Sequence, residues 1–209
     1  MTEYDTATVA PPDGCVFDAP PSEPLGILRA WLKAAGLRQV PEPGAMALAT
    51  ADERGHASNR MVHLLEVTER ALIFTSHASS QKGREIALTQ WASGVLYWHD
   101  TKQQIILSGP TNCVTGDVSD ALWARRSPAT YAMSIASHQS APLGSEDALR
   151  ALARQLGETP DALRRPDGWV GYALQPVAIE FWQASSDRLH RRLRYDATDG
   201  GWTHRRLQP

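Results

Sequence analysis

Residues 59–85, NRMVHLLEVTERALIFTSHASSQKGRE, decide how the rest of the chain reads. Residues 57–67 alternate, with Met61, His63, Leu65 and Val67 on one face of an extended strand and Arg60, Val62, Leu64 and Glu66 on the other. Thr68-Glu69-Arg70 reads as a hairpin turn, and residues 71–76 as the returning strand. Ser79-Ser80-Gln81-Lys82-Gly83-Arg84 then leads into a helical pattern over 85–89. A strand end rich in hydroxyls, followed by a cation and a helix start, suits a phosphate. The first-turn amides point outward, hydroxyls donate, and Lys82 supplies charge. Arg60, on the neighbouring strand, offers a bidentate grip. One alternative is a solvated helix N-terminus after a hairpin. Another is a catalytic S-x-x-K at Ser79 and Lys82, but the S-D-N and K-T-G elements that accompany that motif are absent.

The whole chain narrows the setting. Its 209 residues suffice for one domain with a real core. Lys+Arg number 21 against 23 Asp+Glu, so charge gives no argument for nucleic acid or a membrane surface. Cys15 and Cys113 form no C-x-x-C and read as free thiols of a reducing compartment. The seven histidines are scattered without metal-ligand spacing, so no metal is expected. There is no basic n-region with an apolar h-region, and no apolar run approaches a membrane span. The expectation is a soluble, cytoplasmic protein.

In chain order, residues 1–21 hold Pro11, Pro12, Pro20 and Pro21 and few apolar anchors, which predicts a mobile arm before a single domain at 22–209. Ser22 is the expected N-cap of a helix to Ala35, with Leu25, Leu28, Trp31, Leu32 and Ala35 as its buried stripe and Gly36 as its stop. Residues 45–51 read as a strand, and 91–99 with 103–114 as a hairpin about Asp100-Thr101-Lys102. Residues 117–126 are helical and 127–143 irregular. Helices are expected at 145–156 and 161–165, and strands at 169–183, 189–195 and 202–207. A run of antiparallel strands with one inserted helix favours a closed or nearly closed barrel over a parallel sheet: mainly β with peripheral helices (α+β).

A second chemical cluster lies in EFWQASSDRLHRRLRY, residues 180–195. Alternation puts Arg188, His190 and Arg192 on a common face. Basic groups so close repel one another unless an anion sits among them. The competing reading is a solvated edge strand whose arginines discourage edge-to-edge pairing.

Several blocks together resemble the pyridoxamine-phosphate-oxidase-like flavoproteins. These are A-M-A-L-A-T at 45–50, R-M-V at 60–62, S-x-K-G at 80–83, the Gln104 strand, S-x-Q-S at 137–140, I-E-F-W-Q at 179–183, R-L-H-x-R at 188–192 and G-W-x-x-x-R-L-x-P at 201–209. Within that group the chain is most similar to the phenazine-biosynthesis flavin oxidases. The stretches W-A-S-G-V-L-Y-W at 91–98, Q-Q-I-I-L-S-G at 103–109, A-M-S-I-A-S at 132–137 and the ending G-W-x-H-R-x-L-Q-P carry that likeness.

The resemblance implies an FMN-binding split β-barrel homodimer with cofactor sites at the subunit interface. It assigns the FMN phosphate to Arg60 and Lys82, with Gln81 where the family usually has Arg. It sets Met61, Val62, His63, Leu64 and Leu65 along the ring and ribityl chain and adds Thr75 and Ser76. Gln104, Gln139, Ser140, Trp182 and Arg192 complete the site, with Gln139, Ser140, Trp182 and Arg192 reaching it from the partner subunit. Arg188 and His190 fall at the catalytic, substrate-contacting positions, and Arg126 and Thr130 at further substrate positions. Leu65 and Leu122 stand where vitamin B6 oxidases carry a cation and a phenol, and suit the edge of a flat tricyclic ring instead. The implied reaction is oxidation of a partly reduced, carboxylated phenazine precursor, with dioxygen as final acceptor and release of hydrogen peroxide. The alternatives are oxidation of pyridoxine or pyridoxamine 5′-phosphate, and a flavin- or haem-binding split barrel without turnover.

Overall fold

The computed structural model describes residues 15–159 and 163–209. Strands β1 (Ala45–Ala51), β2 (Ala57–Val67), β3 (Leu72–His77), β4 (Trp91–Trp98), β5 (Gln103–Cys113), β6 (Trp169–Leu174), β7 (Ala178–Gln183), β8 (Arg191–Thr198) and β9 (Gly201–Leu207) form one antiparallel sheet in the order β4-β1-β2-β3-β6-β5-β7-β8-β9. A further β4–β5 pairing closes six of these strands into a barrel and leaves β7-β8-β9 as a wing. The helices are α1 (Cys15–Asp18), α2 (Pro24–Leu37), α3 (Gln81–Thr89), α4 (Gly116–Ala124), α5 (Tyr131–Ala136) and α6 (Glu146–Gly157).

The split arises at β5. Residues 103–110 pair with β4, residues 103–108 also pair with β7, and Thr111–Cys113 pair with β6. The exchange needs a close crossing. A Cβ on Gly109 would lie 2.0 Å from the Gln175 carbonyl oxygen, so only glycine fits there. Alternation fills the barrel with Met46, Leu48, Leu64, Phe74, Leu96, Ile105 and Leu107. Trp31 of α2 plugs one end, edge-on to Phe181 at 5.3 Å. A second cluster of Ile73, Leu122, Trp123, Tyr131 and Trp169 lies on the far side of β3 and β6, under α4 and α5.

The mainly β, closed-barrel expectation holds, with local differences. The helix expected to start at Ser22 and stop at Gly36 runs over Pro24–Leu37, with Glu23 at its N-cap. Part of the expected arm docks: Val16 and Phe17 are buried, Phe17 meets Trp31 at 6.2 Å, and Arg191 and Arg206 lie over its ring. Arm residues 1–14 lie outside the described residues. The irregular segment 127–143 contains a 3-10 turn at Pro128–Thr130 and the helix α5. The 161–165 helix falls partly outside the described residues, and 163–165 are not helical. The long strand over 169–183 breaks into β6 and β7 at Gln175-Pro176-Val177, because β6 and β7 serve different stretches of β5.

Two alternations fail for physical reasons. In β2 the pairing slips between Leu64 and Glu66, so Leu64 and Val67, expected on opposite faces, are both buried. At the start of β8, Arg188 has φ 67° in a turn, where the Asp187 carboxylate accepts from the Ser185 hydroxyl and the Leu189 amide. Strand periodicity therefore cannot align Arg188 with His190 and Arg192.

Candidate active site

The junction of β3 and α3 is built around one buried cation. Ser80 caps α3, its hydroxyl accepting from the Gly83 amide at 3.2 Å. Gly83 lets the helix start close against the strand: a Cβ there would lie 2.3 Å from the Ala78 carbonyl oxygen. Lys82 is thereby drawn inward and is only 6% exposed. Its Nζ donates to Ser76 Oγ at 3.0 Å, Ser80 Oγ at 3.4 Å and Gln139 Oε1 at 3.0 Å. All three acceptors are neutral, and no carboxylate pairs with it among the described residues. Burial, then the nearby charge of Arg60, lowers the Lys82 pKa from its ordinary value. A buried ammonium solvated only by neutral oxygens fits an anionic ligand such as a phosphate.

Arg60 behaves differently. Its Nη1 donates to Leu48 O at 3.3 Å and Thr50 Oγ1 at 2.5 Å, and its Nη2 to Ser58 Oγ at 2.5 Å and Glu85 Oε2 at 3.4 Å. The expected bidentate grip on a phosphate would have to displace these partners. Glu85 also accepts from the Ser58 hydroxyl at 2.6 Å, the Gln81 amide at 2.9 Å and the Thr50 hydroxyl. Burial alone would raise its pKa, but hydrogen bonds from Ser58, Thr50 and Gln81, with the charge of Arg60, hold it down at about 2. Glu85 is thus an anion beside a candidate anion seat. The sequence reading missed it, although its place one helical turn after Gln81 was the available signal.

Gln139 and Ser140, assigned by resemblance to the partner subunit, close on their own chain. Gln139 Oε1 accepts from Lys82 and from Ser76 Oγ at 2.9 Å, and Ser140 Oγ accepts from the Gln81 amide at 3.1 Å. Beside them opens a pocket of about 330 Å³ lined by Thr75, Ser76, His77, Arg126, Ser134 and Trp169, among others. Arg126 lies over the rings of Trp123 at 4.8 Å and Trp169 at 5.0 Å. Its Nη2 donates to Ser134 Oγ at 2.9 Å, while its buried Nη1 has no partner. Burial lowers its pKa too. His77, half-buried, is held below its usual pKa by burial and then by the charges of Lys82, Arg126 and His138. His77 and Ser134 were also missed by the sequence reading.

Three more expected residues, Gln104, Trp182 and Arg192, lie in a separate row that begins at Tyr97. Tyr97, Gln104, Trp182 and Arg192 are successive cross-strand neighbours on β4, β5, β7 and β8. The adjacent row runs Met61, Ala47, Val95, Ile106, Glu180 and Arg194 on the same outer face of the sheet. Arg192 Nε donates to Glu180 Oε1 at 2.7 Å, and that bond raises its pKa. The His190 and Trp182 rings lie 5.0 Å apart. His190 Nδ1 accepts from the Ser185 amide at 3.1 Å, so Nε2 carries the proton of the neutral ring. No hydrogen bond or ion pair among the described residues joins this row to Lys82.

Four expectations shift. Leu64 is buried in the barrel core, so only its backbone can meet a ligand. Leu122 is 4% exposed inside the second core cluster and Leu65 packs against that cluster, so neither lines the pocket. The exposed Thr130 turns its hydroxyl to Ser127 O at 2.7 Å. Met61 and His63 share a face, as alternation predicted, and that face is exposed.

Fold and site define a split-barrel oxidoreductase. The chain belongs to the pyridoxamine 5′-phosphate oxidase family. Residues 32–159 match the model described as "Pyridoxamine 5'-phosphate oxidase", and residues 169–209 match "Pyridoxine 5'-phosphate oxidase C-terminal dimerisation region". It is 48% identical over 193 residues to a dihydrophenazinedicarboxylate synthase of Burkholderia lata, spanning 92% of this chain and 91% of that one. It is 43% identical over 209 residues to the Pseudomonas chlororaphis protein of that name, covering 100% of this chain and 94% of the other. The crystal structure of PhzG from Burkholderia lata in complex with tetrahydrophenazine-1-carboxylic acid superposes with a TM-score of 0.91 at 46% identity, covering 97% of this chain and 98% of that one. Among the described residues no helix is long and apolar enough to cross a membrane.

Proposed function

We propose that this protein is an FMN-dependent oxidase of phenazine biosynthesis that aromatises a partly reduced, carboxylated phenazine precursor. The observation that carries the reading is Arg126, a half-buried guanidinium held against two indoles with one terminal nitrogen unpartnered beside the pocket. A planar aromatic carboxylate answers both features, because the carboxylate completes the hydrogen bonding and the pocket already has an aromatic wall. The relatives named for dihydrophenazinedicarboxylate and the neighbour holding a tetrahydrophenazine acid support the same substrate class.

In this reading Lys82 seats the cofactor phosphate, with Ser76, Ser80 and Gln139 around it, and Arg60 stands behind. Bound FMN supplies a two-electron acceptor that dioxygen reoxidises with release of hydrogen peroxide. The protein's own tasks are binding and orientation. Arg126 and Arg188 hold substrate carboxylates, and His190 donates a hydrogen bond from Nε2. A second copy of the chain covers the outer face carrying Met61, Val95, Tyr97 and Ile106, and brings Trp182 and Arg192 to the Lys82 seat. The match of residues 169–209 to a dimerisation region supports that arrangement.

The test is anaerobic bleaching of the bound flavin with a reduced phenazine carboxylic acid and with pyridoxine 5′-phosphate, side by side. Fast bleaching by the first and slow bleaching by the second are expected. Efficient turnover of pyridoxine 5′-phosphate would move the assignment to vitamin B6 oxidation. A flavin that neither substrate reduces would point to a binding protein.

A further inference from the structure

We propose that Glu85 is the residue that sets how tightly the cofactor phosphate is held, acting as a fixed negative counterweight behind the seat. This rests on the reading that Lys82 receives the FMN phosphate. Two observations carry it. First, the four contacts of the Arg60 terminal nitrogens account for all four of their hydrogens, leaving only the Nε hydrogen for a ligand. Glu85, Thr50 and Ser58 therefore commit Arg60 to the barrel wall. Second, the Glu85 carboxylate is 8% exposed and one helical turn from the N-terminus of α3, on the same helix as Lys82. Its charge is paired with Arg60, while Lys82 has only neutral acceptors and no counter-charge of its own among the described residues.

Gln81 completes the device. A cation at this first-turn position would face both Glu85 and the ligand; the neutral amide instead donates to Glu85 Oε1 at 2.9 Å and holds the carboxylate in place. The net result is a seat with about one positive charge facing a phosphate monoester that carries nearly two negative ones at neutral pH. Glu85 acts through charge and through Arg60 rather than by touching the reacting atoms, so it is a positioning residue. Glu85→Gln keeps an acceptor for Ser58, Thr50 and Arg60 while removing the charge.

The test uses apoprotein titrated with FMN and, separately, with riboflavin, which lacks the phosphate, following flavin fluorescence. Glu85→Gln should tighten FMN by about tenfold or more and leave riboflavin unchanged. FMN affinity that is unchanged or weaker, in a variant whose thermal melting matches wild type, overturns the proposal. Equal wild-type affinity for FMN and riboflavin instead defeats the underlying reading of the seat. If Glu85→Gln fails to fold, Gln81→Arg makes the same charge change from the helix surface. FMN should then tighten selectively, and no selective change overturns the proposal.

Discussion

Replacing Lys82 by alanine should cost FMN one to two decades of affinity and riboflavin almost nothing. The Lys82 ammonium now spends its three hydrogens on neutral oxygens at 3.0, 3.4 and 3.0 Å. A phosphate oxygen that replaces the weakest of these gains a charge-assisted bond worth about 1.5–3 kcal/mol, which is about ten- to a hundredfold in Kd. An unscreened ion pair near a protein surface has about 4 kcal/mol to give at 4 Å, so the figure leaves room for the lost bonds to Ser76, Ser80 and Gln139. Arg60 can offer a bidentate grip in its place only by releasing some of its present partners. The assay is fluorescence quenching on titration of apoprotein with each flavin. Equal losses for FMN and riboflavin would show that Lys82 does not see the phosphate. The apoprotein offers a second reading. The folded-state pKa of Lys82 lies below the ordinary 10.5, so the unfolded chain binds the proton more tightly. Stability should therefore rise as pH climbs from the folded value toward 10.5, and Lys82→Met should abolish that rise.

Arg126→Gln should slow anaerobic flavin reduction by a carboxylated reduced phenazine about ten- to a hundredfold at low substrate, with the loss largely recovered at saturation. FMN affinity should stay constant, and an unchanged rate at low substrate would remove Arg126 from the substrate site. Mixing inactive Lys82→Ala and Arg192→Ala proteins should restore activity in mixed dimers that hold one intact site; no recovery, with subunit exchange verified, argues that each site is built from one chain. Arg188→Ala and His190→Ala should each slow flavin reduction without altering the flavin Kd. If both reduce at the wild-type rate, the basic segment is a solvated strand edge.

Much of the barrel was legible because its strands obey a local rule. Residues 45–51 and 57–67 alternate between neat breaks and form β1 and β2 with those bounds. What escaped was set by partners distant in sequence. The β2 bulge exists because of β3 pairing, and the 175–177 break because β5 changes neighbours at Gly109. The Arg126 clamp needs Trp123 from the end of α4, just before it in the chain, and Trp169 from β6, and only the folded chain brings those indoles 5.0 Å apart.

The site repeats the lesson in electrostatic terms. As letters, Arg60 and Lys82 were equivalent cations near a helix start, and both were assigned to one phosphate. Folded, they differ in what they already touch. Arg60 holds a carboxylate, two hydroxyls and a carbonyl, whereas Lys82 holds only neutral oxygens. A cation whose donors are already matched by an anion gains little from a second anion, because binding one ligand means giving up the other. A buried cation without a counter-charge still carries much of its desolvation cost, and an arriving phosphate relieves it. Charge type can be read from sequence, but availability depends on the neighbours that folding supplies. At this seat the deciding neighbour is Glu85, which leaves Lys82 and not Arg60 as the group waiting for an anion.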